Sequence, residues 1–197
     1  MSDDCELTIR DFVRMRMLGY QFPHVHDGCD SNWLNVHMLV RDGHSVRDRH
    51  SQVSFTGAYV HTLELVLVRQ EVACVLVGDS PECCWAPMEA WWDPFIRRND
   101  ETDGIARFSL TVELELSVSR DPEQFSEHKF HYTIDLADVK TLFDQLDHAV
   151  RCYPLRGEGD GKQRLDVEAA GRIAHVLLDV GGYDDADREA MTCGTRV

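Results

Sequence analysis

Between residues 108 and 118 the chain alternates strictly. Phe108, Leu110, Val112, Leu114, Leu116 and Val118 fall on one side, and Ser109, Thr111, Glu113, Glu115 and Ser117 on the other. Successive strand residues point to opposite faces, so this run predicts a strand with one buried and one wet face, as in an antiparallel sheet. Phe130, Tyr132 and Ile134 against His131 and Thr133 predict a second strand, with Asp121-Pro122 in the turn between. Leu34, Val36, Met38 and Val40 predict a third, ending at the turn signal Arg41-Asp42-Gly43. A weaker strand over Ile9 to Met17 sets Val13, Met15 and Met17 against Arg14 and Arg16, with segment 45–55 as its hairpin neighbour.

The period then changes. Asp135 is placed to cap a helix, and Asp138 sits at its third position, where a carboxylate favours the positive end of the dipole. Val139, Leu142, Phe143, Leu146 and Val150 form one apolar stripe, and Pro154 lies just past the end. Residues 157–163 are glycine-rich and read as a linker, after which Asp166 caps a further helix over Val167 to Val180, stopped by Gly181-Gly182. Segment 61–77 is ambiguous: its β-branched content favours a strand, its length and apolar positions suit a buried helix, and periodicity does not choose. The elements predict the α+β class, an antiparallel β-sheet with two to three helices packed on one face. They divide into a domain over 1–156 and a linker plus helical extension over 157–197.

Charge narrows the partners. Asp and Glu number 35 against 20 Lys and Arg, a net charge of −15. Nucleic acid and anionic membrane would both repel such a chain, whereas a basic protein would be drawn to it. The excess concentrates in residues 61–156, where 18 acids face 9 bases. A basic start followed by an apolar run, as a secretory signal needs, is not seen. The most apolar stretch is cut by Arg69, Gln70 and Glu71, too short to span a bilayer. Seven cysteines, with only Cys83-Cys84 close together and no C-x-x-C spacing, fit reduced thiols. The expectation is a cytoplasmic protein.

Candidate chemistry is sparse. His24, His26, Asp27, Cys29 and Asp30 form the densest group of metal-ligand types, but their spacing matches no standard zinc site. No metal or other cofactor is expected, and a small metal-binding protein or enzyme using the His24–Asp30 loop is the alternative reading. Cys83 or Cys84 as a nucleophile would need a positive setting, which the acids of residues 79–93 deny it. Glu113 and Glu115 share the wet face of one strand, which does little to shift either carboxyl. Trp85 to Phe95 holds three of the four tryptophans and two prolines, so it reads as an edge strand or loop. Aromatic anchors inside an acidic rim suit a basic partner. Trp91, Trp92, Asp100, Glu101, Asp103, Glu113 and Glu115 are therefore the expected partner-binding residues.

Two stretches carry a family resemblance. Gly19-Tyr20-Gln21-Phe22-Pro23, then Asp30-Ser31-Asn32-Trp33-Leu34-Asn35-Val36, resembles the opening of the WapI-type immunity proteins, and Tyr153-Pro154-Leu155-Arg156 is similar to their closing pattern. The likeness covers roughly residues 7–156. Turn chemistry gives Gly19, Tyr20, Gln21, Phe22, Pro23, Asp30, Asn32 and Trp33 a fold-forming role: strand one ends at Gly19-Tyr20, Pro23 fixes the loop, and Asp30 to Asn32 turn the chain into the next strand. Tyr20 and Trp33 are expected to pack together. The resemblance implies a helix at 61–77 and a small cytoplasmic, non-enzymatic antidote. Such a protein binds and neutralises the toxic domain of a polymorphic toxin, often a basic nuclease.

Overall fold

The computed structural model describes residues 5–25, 29–42, 52–85, 92–99, 106–117 and 125–156, with backbone alone at 29–30, 115–117 and 125–126. Its strands are β1 (Glu6–Ile9), β2 (Val13–Tyr20), β3 (Trp33–Arg41), β4 (Gln52–His61), β5 (Glu82–Cys84), β6 (Trp92–Arg98), β7 (Arg107–Ser117) and β8 (Phe125–Asp135). Helix α1 (Thr62–Val77) joins β4 to the second half, α2 (Leu136–Cys152) follows β8, and a 3-10 turn over Cys29–Asn32 leads into β3. The expected single sheet is two, each antiparallel and four-stranded, in orders β1-β2-β3-β4 and β5-β6-β7-β8. The class is α+β, as the alternating pattern implies. Insertion of α1 between β4 and β5 separates the halves.

The alternation becomes burial directly. Val13, Met15 and Met17 of β2, Leu34, Val36, Met38 and Val40 of β3, and Phe108, Leu110, Val112 and Leu114 of β7 point inward, while their alternates face outward. Each such side chain contributes ~1.5–3 kcal/mol on burial. Inner faces of both sheets and the helices share one apolar core. Phe12 stacks on Tyr132 with ring centroids 4.6 Å apart, and the Tyr132 hydroxyl donates to the Arg41 carbonyl at 2.6 Å, tying the sheets together.

The weak strand over Ile9 to Met17 is a hairpin, broken at Arg10, whose φ of 51° places it in the left-handed region. Arg10 turns outward to pair with Asp135 at 2.9 Å and Asp138 at 2.6 Å. The expected pairing of segment 45–55 with that strand is replaced: β4 pairs with β3, and the second neighbour of β2 is β1. The tryptophan segment also differs. Strand β6 is internal, between β5 and β7, and contains Pro94. The Pro94 carbonyl accepts from the Trp85 N–H at 3.0 Å, and the missing proline N–H coincides with the end of the short β5 ladder.

Helix α2 begins as its sequence predicts. Asp135 accepts from the Asp138 N–H at 3.0 Å and Asp138 from the Asp135 N–H at 2.8 Å, a capping box. Val139, Leu142, Phe143 and Leu146 are buried as expected, and Ala149 rather than Val150 completes the fully buried face. Helix α1 is buried almost all round, with Leu67 its exposed large apolar residue, which explains why no stripe marked it. His61 Nδ1 caps it, and Gly78, at φ 85°, ends it in a left-handed turn. Arg69, nearly buried on α1, reaches Asp147 on α2 at 3.1 Å. The linker and extension expected over 157–197 lie outside the described residues. No helix among the described residues is long and apolar enough to cross a membrane.

Candidate partner-binding surface

The motif residues gather at one end of the first sheet. Gly19 sits at a bulge between Met17 and Gly19 of β2 with φ 119°, a conformation that glycine adopts without a Cβ penalty. Tyr20 then turns towards the end of α2. Its hydroxyl donates to the Pro154 carbonyl, its ring meets Tyr153 edge-on at 5.6 Å, and the Arg156 guanidinium lies 3.3 Å over its centroid. Burial raises the Tyr20 phenol above its ordinary value, with Arg156 opposing the rise. Arg156 Nη1 donates to the carbonyls of Phe22 and Pro23 at 3.2 Å and of Val25 at 3.3 Å, fixing the loop around Pro23.

Asn32 closes the clasp from below. Its Oδ1 accepts from the Arg156 N–H at 2.6 Å and from Thr62 Oγ1 at 3.1 Å, and its Nδ2 donates to the Arg156 carbonyl at 3.1 Å. The amide thus pairs with a backbone as a strand would, and a carboxylate has no N–H to offer in its place. Gln21 donates its N–H to the Trp33 carbonyl at 2.8 Å. The expected contact between Tyr20 and Trp33 is not made: Trp33 packs edge-on to His61 at 5.4 Å, because Tyr20 is taken by Tyr153 and Arg156. The Tyr20 and Asn32 side chains of the motif therefore tie the end of the first sheet to the chain that follows α2.

The expected partner-binding residues separate. Trp92 is a correction: its ring is buried at 3% exposure against Trp85, with centroids 4.6 Å apart. Its place on the inward face of an internal strand, opposite Leu114, puts the indole in the core. Glu113 stays on the exposed outer face of the second sheet. It lies opposite Asp93 on β6 and Lys129 on β8, and forms an ion pair with Lys129. One register step on, Glu115 lies opposite Glu127. Asp93, Glu113, Glu127, His128 and Lys129 surround a cleft of about 290 Å³, with Trp92 and Leu114 also lining it. Asp93 opposite Glu113 is a like-charge cross-strand pair, an arrangement that costs stability and that the Lys129 ion pair offsets in part.

Trp91, Asp100, Glu101 and Asp103 lie outside the described residues. Residues 100–103 follow the Arg98 end of β6, whereas the cleft is at its Trp92 end. Six residue steps separate these ends by about 20 Å. Of the loop considered for metal, His24 is exposed, His26 and Asp27 lie outside the described residues, and Cys29 and Asp30 are described by backbone alone. Cys83 and Cys84 do not suit a nucleophile. Burial first, then Glu71, pushes the Cys83 thiol far up, and burial followed by Asp93, Glu71 and Glu82 raises Cys84. Sequence reasoning did not find Arg156 as the hub of the clasp, nor a group formed by Cys5, His148 and Cys152. The i, i+4 spacing of His148 and Cys152 on one helix was the available signal for the second.

An α+β scaffold with a clasped motif end and an open acidic sheet face is the setting in which relatives become informative. The Immunity protein WapI-like family matches residues 7–154, and the chain belongs to that family. Membership brings an immunity role and implies a toxin partner. No curated protein and no solved structure matched.

Proposed function

We propose that the protein is a non-enzymatic antidote that binds and blocks a basic toxin domain, of nuclease type, in the cytoplasm. The observation that carries this reading is the row of acids on the outer face of the second sheet. Asp93 and Glu113 oppose one another at a cost to folding, and among the described residues Lys129 is the only Lys or Arg lining the cleft. Charges held against stability on an exposed face are explained by a partner that supplies the compensating cations. A domain that attacks nucleic acid is basic because it must attract phosphates, so it fits such a face. The cleft carries the contact in this reading, with Glu113 on its wall and Glu115 next along the same strand. Asp100, Glu101, Asp103 and Trp91 extend it, since a standard interface of ~800 Å² per partner is wide enough to reach both ends of β6.

Co-expression with a candidate toxin domain, taken from a polymorphic-toxin gene found next to this one, tests the role. Rescued growth is expected, and continued arrest would sink the antidote reading. Association should also slow clearly as salt rises from low to physiological, because steering between opposite charges is screened. A salt-independent on-rate would remove the electrostatic part of the proposal.

A further inference from the structure

Away from the acidic face, three metal-ligating side chains converge from opposite ends of the described chain. One ligand atom each of Cys5, His148 and Cys152 lies within 4.8 Å of the other two. His148 and Cys152 stand one turn apart on the same face of α2, with Cys152 Sγ 3.4 Å from His148 Nε2. Cys5 comes from the residue before β1 and is fully buried, and its carbonyl accepts from the Met17 N–H at 2.9 Å. Its position is thus set by the sheet, and that of the other two by the helix.

The donor set is chemically selective. Two sulfurs and an imidazole suit zinc or another thiophilic ion, whereas calcium and magnesium require oxygen. Zinc bonds of ~2.3 Å to sulfur and ~2.0 Å to nitrogen set neighbouring tetrahedral ligands about 3.5–3.8 Å apart. The His148–Cys152 separation already falls near that value, and the whole group needs to contract by about 1 Å. His148 is exposed and Cys152 half-buried, so an ion has a way in and a water can reach the remaining position.

We propose that Cys5, His148 and Cys152 bind one zinc ion with water as the fourth ligand, tying the amino-terminal end of the first sheet to the last turn of α2. Binding exchanges two thiol protons for two sulfur–zinc bonds, and the protons pass to solvent. Because both thiols must lose their protons to bind, affinity falls as pH falls. The ion would brace the chain immediately before the Tyr153–Arg156 clasp.

Titration of the reduced, metal-free full-length protein tests this. Zinc is followed by thermal melting, and cadmium by its thiolate charge-transfer absorbance. One saturable equivalent and a raised Tm are expected for the wild type and for Cys84→Ser, which alters an exposed thiol elsewhere. Cys152→Ser should abolish that equivalent. His148→Ala, an exposed change that leaves the fold intact, should weaken it by no less than the ~10-fold that loss of an outer-sphere partner costs. Absence of a saturable equivalent would overturn the proposal, as would one that survives Cys152→Ser or keeps its affinity in His148→Ala. Recovery of a Cys5–Cys152 disulfide from cells lysed in thiol-blocking reagent would also overturn it, by assigning the two sulfurs to a covalent bond.

Discussion

The far ends of the two sheets treat polar groups in opposite ways. At the motif end of the first sheet, Asn32 Nδ2, the Tyr20 hydroxyl and Arg156 Nη1 each donate to a backbone carbonyl. On the outer face of the second sheet, Asp93 lies opposite Glu113 and Glu115 opposite Glu127, and the cleft between them stays open. The first arrangement adds to folding stability, and the second subtracts from it. Of the residues that mark the family in sequence, Gly19, Tyr20 and Asn32 thus take part in local structure and long-range contacts of the fold. Those proposed to meet the toxin are plain surface acids with no motif around them.

Changes at the clasp should lower stability, and changes on the acidic face should lower binding. The largest stability effect is expected for Asn32→Asp. It removes the donor to Arg156 and buries a charge beside a carbonyl, at a cost of about 3 kcal/mol, or roughly 10 °C in Tm. A smaller loss, about 1–2 kcal/mol, is expected for Asp147→Ala, which removes the ion pair between the nearly buried Arg69 and α2. Thermal melting checks both, and a wild-type Tm in either variant would break the comparison from the folding side. Gly19→Ala should cost ~1–2 kcal/mol through its positive φ alone, since nothing lies within 4 Å of the added Cβ. Chemical denaturation that left its midpoint unchanged would contradict the assignment of strain to that bulge.

Smallest is the acid-side effect of Asp135. The Asp138 N–H, with Arg10 assisting, holds this carboxyl below its usual range. A depressed folded pKa means that the charged form stabilises. The contribution is complete above the unfolded value of ~3.9 and is lost as pH falls through the lower folded value. Asp135→Ala should therefore cost ~1 kcal/mol near neutral pH and progressively less below about pH 4. Equal destabilisation at pH 3 and pH 7 would show that the cap acts without its charge.

Legibility in sequence followed the geometry of burial. Helix α2 buries one face, so its stripe and its Asp135 cap could be read directly. Helix α1 is enclosed on nearly all sides, so no period distinguished it from a strand, and the family resemblance supplied the helix. Alternation identified β3, β7 and β8 but carries no information on how many sheets they form. Pro94 pointed to an edge or loop, whereas the strand proved internal, because a three-residue neighbour leaves the proline little ladder to disrupt. Trp92 was expected at the surface from composition, and its register opposite Leu114 turned it inward. Arg156 was legible only as part of the family's closing pattern, and Cys5 not at all, since each acts across more than a hundred residues of chain.

The central claim is that the acids of the second sheet exist for a partner rather than for the fold. Its direct test is the affinity of a Glu113→Lys, Glu127→Lys variant for the toxin domain, measured beside its melting temperature. Binding at least ~10-fold weaker, equivalent to ~1.4 kcal/mol, is expected with Tm unchanged or slightly raised. Wild-type affinity in a folded variant would contradict the account and move the interface off this face.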